Sequence, residues 1–81
     1  MDEATARALA EAARPARDVP PGYALVASER RIIELVEGTG PGPVRDALVW
    51  IVRFAEGIRW MELAVEEASG QVVRVQRSRT R

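Results

Sequence analysis

Two short turns, Glu56-Gly57 and Ala68-Ser69-Gly70, divide residues 45–78 into three β-forming runs, and no other feature restricts the fold as strongly. The first run, Ala47 to Ala55, carries Val49, Trp50, Ile51, Val52 and Phe54. Such β-branched and aromatic side chains suit a pleated, half-buried surface. Residues 58–67 make the second run and Gln71 to Arg77 the third. Turns this short can only join antiparallel neighbours, so the pattern predicts a three-stranded antiparallel meander.

The spacing also predicts a register. A two-residue turn at Glu56-Gly57 pairs Ala55 with Ile58, Phe54 with Arg59, Val52 with Met61, Trp50 with Leu63 and Leu48 with Val65. A three-residue turn ending on a left-handed Gly70 pairs Glu67 with Gln71, Val65 with Val73 and Leu63 with Val75. One face then holds Leu48, Trp50, Val52, Phe54, Met61, Leu63, Val65, Val73 and Val75. A one-residue slip would set apolar against charged side chains along the whole ladder.

The opposite face carries Val49, Ile51, Ile58, Trp60, Ala64 and Val72 among Arg53, Glu62, Glu66 and Arg74. Arg53 is expected across from Trp60 as a cation–π pair. One short helix cannot cover both faces, so this second face is expected to meet solvent, the 19–37 segment, a second copy or a partner. Trp60, Ile51, Val49, Arg53 and Val72 are the candidate partner-binding residues. Trp60 leads them, because aromatic anchors are enriched at interface hot spots.

Upstream, residues 2–14 read as a helix. Asp2 and Glu3 suit its positive end and Arg14 its negative end. Ala6, Leu9, Ala10 and Ala13 fall on one thin stripe, and Pro15 stops the helix. Residues 15–22 hold three prolines and a glycine and make a linker. Residues 30–37 are open to two readings. Ser28 as a cap, Gly38 as a stop and Ile32, Ile33, Leu35 and Val36 on one face favour a helix. Completion of the sheet favours a strand, returning through Gly38–Pro43 into the next one. The balance falls to strand.

The composition excludes much chemistry. The chain contains neither Cys nor His. Cysteine nucleophiles, disulfides, thiolate zinc sites and imidazole bases are therefore ruled out together. Twelve basic residues, all Arg, balance twelve acidic ones. No net field favours nucleic acid or anionic lipid. Glu62, Glu66 and Glu67 read as solvated sheet charge, partly paired with Arg74. Gly38–Pro43 lacks the Lys-Ser/Thr pair of a phosphate loop. Arg74, Arg77, Arg79 and Arg81 read as a strand fraying into a solvated tail. No catalytic, cofactor or metal residue is assigned, and the expectation is that the chain is not an enzyme.

The segment Arg59-Trp-Met-Glu-Leu-Ala-Val-Glu-Glu-Ala-Ser-Gly-Gln-Val-Val-Arg-Val75 resembles the PepSY domain and its cystatin-like helix-on-sheet relatives. In that family a strand of the type W-x-V-x-V-D runs into x-x-T-G-x-V-x-x-V. The matching positions here are Trp60, Val65, Glu66, Ser69, Gly70, Val72 and Val75, with Glu66 in place of the usual Asp and Ser69 in place of the usual Thr. The helix Asp2 to Ala13 resembles the family's opening helix. The resemblance implies an export-associated module that restrains peptidases or binds other protein partners, without catalysis.

The sequence thus predicts one small α+β domain, an N-terminal helix packed on a three- to four-stranded antiparallel meander. With 81 residues its core is small, which favours a partner or self-association. The expected function is non-enzymatic protein binding through an apolar sheet face or edge, as a homodimer or with another protein. One alternative is a PepSY-like module restraining a peptidase. Another is a small nucleic-acid accessory protein using the Arg-rich tail. No cofactor, nucleic acid or membrane is expected as a partner. The chain is expected in the cytoplasm if it is full length, and exported if a leader was removed.

Overall fold

A computed structural model describes residues 1–36 and 42–79. The expected strand end at Glu37, the loop from Gly38 to Pro41, and Arg81 of the basic tail lie outside the described residues. Helix α1 (Glu3–Ala13) is followed by strands β1 (Ala24–Val36), β2 (Val44–Glu56), β3 (Arg59–Glu66) and β4 (Val72–Arg77). The strands form one antiparallel sheet in the order β1-β2-β3-β4, with α1 on one face. The fold is α+β.

The start of α1 follows from Asp2, whose extended backbone and carboxylate cap the helix by accepting the Thr5 N–H at 2.8 Å. That hydrogen bond holds the Asp2 carboxyl below its ordinary pKa. Ala6 and Ala10 are fully buried and Leu9 and Ala13 pack on the core, as the alanine stripe predicts. Small side chains let the helix lie close to the sheet. Its register there is pinned by Ser28, which donates to Glu3 at 2.6 Å and accepts from Arg7 Nε at 2.8 Å. Beneath α1, Val52, Phe54, Met61, Leu63 and Val65 form the main core with Ala10 and Val19. Arg14 lies 4.8 Å over the Phe54 ring and donates to the Tyr23 carbonyl, tying the helix end to the residue that precedes β1.

Residues 30–36 belong to a strand, and that strand begins earlier than expected, at Ala24. Its local signals are helical, but its backbone completes the sheet by pairing with β2 along nearly its whole length. Val26 is the extra residue of a bulge between Leu25 and Ala27.

Two register expectations are corrected. The first hairpin pairs Glu56 with Arg59, Phe54 with Met61, Val52 with Leu63 and Trp50 with Val65, two residues away from the expected ladder. The loop is Gly57-Ile58 rather than Glu56-Gly57, and Ile58 is 95% exposed. Gly57 has φ +62° and Ile58 is not left-handed, the pattern of a type II′ turn with glycine first. Because side chains alternate with period two, a two-residue shift keeps each residue on its expected face. In the second hairpin Gly70 is left-handed as expected, at φ +72°, and Leu63 pairs with Val75. A bulge after Ala64 then pairs Val65 with Val72 instead of Val73. The extra residue exchanges the two valines: Val72 packs on the helix-side core and Val73 on the other face.

On the second face the 19–37 segment contributes through β1. Ile33, Ala47, Val49, Ile51 and Ala64 are buried there, flanked by Leu35 and Val73. Much of that face is therefore a second small core, built from the sheet's own strands.

Candidate functional site

The expected partner-binding residues are divided by the structure. Val49 is fully buried and Ile51 is 6% exposed, so neither presents a free surface. Val72 lies on the helix side, among the residues packed on the main core. Trp60 and Arg53 remain half-buried on the second face. Arg53 lies 4.4 Å over the Trp60 ring and bonds Glu62 at 2.9 Å, its direct cross-strand partner. Trp60 is a diagonal neighbour rather than the opposite residue. These charges border a shallow hollow of about 290 Å³ with Ile51, Glu29 and Arg31.

Glu66 and Glu67 are engaged structurally. Glu66 accepts from Arg45 and Ser69, both at 2.7 Å. Those bonds, the Ser69 hydroxyl first and then the Arg45 guanidinium, hold its carboxyl below the ordinary value. Glu67 meets Arg30 at 3.1 Å, and Arg30 also lies 5.2 Å over Trp50. The carboxylates thus find Arg45, Arg30 and Arg53 rather than the expected Arg74. Three arginines lie over the Phe and Trp rings, a stacking geometry suited to the planar guanidinium. Among the described residues no three Asp or Glu side chains converge as metal ligands. Among the same residues no helix is long and apolar enough to cross a membrane.

The most distinctive surface was missed by sequence reasoning. Strand β3 ends at Glu66, opposite Val49, while β1 and β2 run on together as a two-stranded arm. On the helix side of this arm Ile32 pairs with Leu48, Glu34 with Asp46 and Val36 with Val44. The four apolar residues are 66, 39, 57 and 54% exposed in that order. Between them stand two opposed carboxylates, and neither Glu34 nor Asp46 makes an ion pair or hydrogen bond with a described residue. Like charges directly opposite are unfavourable across strands. Beside the arm, past the end of β3, lies a groove of about 470 Å³. Its lining includes Met1, Arg45, Asp46, Leu48, Glu66 and Glu67. The available signal was the pairing of residues 32–36 with 44–48. Reading it required both the strand assignment and the register of β1 on β2.

No known protein family, curated protein or solved structure matches this chain.

Proposed function

We propose that this domain is a non-enzymatic protein-binding module and that its docking surface is the outer arm of the β1–β2 hairpin. One observation carries the reading: Ile32, Val36, Val44 and Leu48 share a face beyond the cover of α1 and all stay exposed. Scattered surface apolar residues need no explanation, but four grouped on adjacent strands mark an interaction surface. A patch of this kind gains its affinity by losing water against a complementary surface.

Self-association is the second reading. It is favoured by the outer edge of β1, a run from Ala24 to Val36 that no described strand pairs. Open strand edges are ready templates for another chain.

Selection of peptides from a random displayed library on the intact protein tests the reading. The Ile32→Ser/Leu48→Ser double variant serves as the counter-target. Recovered peptides should bind the wild type and not the variant, while the variant keeps its far-ultraviolet circular dichroism spectrum. Enrichment of peptides that bind both proteins equally would count against the arm as the docking surface. A dimer by light scattering that persists in the double variant would favour the β1 edge.

A further inference from the structure

Resting on the docking role of the arm, we propose that the segment it takes is an extended, basic strand. That strand adds to the open edge of β2 and sets a Lys or Arg side chain against Glu34 and Asp46.

The edge comes first in the argument. The last rung between β2 and the β3–β4 hairpin is the Glu67 N–H donating to the Leu48 carbonyl at 2.9 Å. In an antiparallel ladder a residue directs both of its backbone groups to the same neighbour, and alternate residues share that direction. Leu48 faces the β3 side, so Asp46 and Val44 face it too, where β3 has ended. Asp46 and Leu48 line the groove of about 470 Å³ beside that edge, which is within the size range of ligand sites. A strand entering there continues the line of β3 and gains main-chain hydrogen bonds, the mode of recognition by strand addition.

The charge comes second. Because Leu48 directs its groups away from β1, the pairs Ile32–Leu48, Glu34–Asp46 and Val36–Val44 are all of the non-hydrogen-bonded type. In such pairs the Cα atoms approach to about 4.5 Å. The two acidic residues therefore leave neighbouring backbones on one face, with apolar pairs above and below them. An added strand runs roughly 4.8 Å from β2. An Arg placed opposite Asp46 adjoins that carboxylate and reaches across toward Glu34. Its neighbour two positions on, on the same face, then meets Val44, while the place beside Leu48 is held by Glu67, so the favoured segment begins basic–x–apolar.

A second copy docked face to face on this strip is disfavoured by the same charges. A two-fold axis through the strip's centre would gather four carboxylates.

The test is a titration of the intact ¹⁵N-labelled protein, at low salt, with two blocked heptapeptides of alternating Thr and Val. One has Arg as its first residue and the other Glu. The Arg peptide should shift the amides of Val44, Asp46 and Leu48 and bind about tenfold or more tightly than the Glu peptide. In the Glu34→Gln/Asp46→Asn variant the two affinities should converge to within about twofold. Equal affinities for the wild type overturn the inference. The docking reading still stands if Ile32→Ser/Leu48→Ser abolishes binding of both. Shifts confined to residues 24–31 on the outer edge of β1, or no shifts with either peptide, overturn the inference, and the library selection then judges the docking reading separately.

Discussion

Arg45 Nη1 lies 2.7 Å from Glu66 Oε2, joining the outer arm of β2 to the end of β3, where the ladder between the two strands stops. Ser69 from the following turn donates to the other carboxylate oxygen, and the Gly70 N–H bonds the Glu66 carbonyl. Glu66 therefore anchors both the second turn and the arm. Its carboxyl is held below the ordinary value of 4.5 by these partners. A group depressed in the folded state stabilises it fully above the unfolded pKa and loses that contribution as pH falls through the folded value. Glu66→Gln should lower stability at neutral pH. The gap between wild type and variant should shrink as pH falls from about 6 to about 3. Urea unfolding midpoints across that range provide the check; a constant gap would mean the ionised form is not what stabilises the turn.

The first hairpin allows a clean separation of backbone from contact effects. An added Cβ at Gly57 meets nothing within 4 Å, yet the residue sits at φ +62°. Gly57→Ala should cost roughly 1–2 kcal/mol, all of it from the left-handed backbone. Its neighbour Ile58 is 95% exposed. Ile58→Thr should therefore stay within about 0.5 kcal/mol of wild type. Chemical denaturation of the two variants distinguishes this loop from one centred on Glu56-Gly57, in which Ile58 would be a paired strand residue.

The main core makes a third prediction. Phe54 is fully buried beneath α1 and lies under the Arg14 guanidinium. Phe54→Ala should cost about 3–5 kcal/mol, most of the stability expected of so small a core. Loss of the cooperative thermal transition, read by circular dichroism, is the expected outcome. A sharp transition near that of the wild type would show that the helix does not depend on this packing.

Most of the fold was legible because its signals are local or periodic. Asp2 and Pro15 mark the bounds of α1, and the alternation of apolar residues in 47–67 assigns faces. That alternation survives a register error of two residues, which is why Phe54, Leu63 and Val65 stand in the expected core although their partners differ. The bulge at Val65 was not legible. Val72 and Val73 are chemically the same, so nothing in their order says which one faces the helix. The start of β1 was hidden for another reason. Residues 24–29 have no strong pattern of their own, and their strand state comes from pairing with Val52, Arg53 and Phe54. The candidate surface shares that cause: Glu34 and Asp46 stand twelve positions apart, and only the finished β1–β2 ladder brings them together.

That opposition of Glu34 and Asp46 sets stability against binding. If the acidic pair serves to receive a basic strand, it is a cost carried by the free protein, and reversing one charge should relieve it. Asp46→Lys replaces a like-charged cross-strand pair by an opposite-charged one, worth roughly 0.2–1 kcal/mol. It also removes Asp, a residue depleted in strands. A gain near the top of that range would raise the melting temperature by about 4–8 °C in a domain of this size. Because both side chains are exposed, the gain should fade in about 1 M salt, where the screening length is near 3 Å. The same variant should lose its preference for the Arg-bearing peptide. Thermal unfolding at low and high salt, run beside the titration, reads both effects. A variant that is no more stable than wild type at low salt would show that the two carboxylates do not strain the arm, and the charge argument for a basic partner would lose its basis.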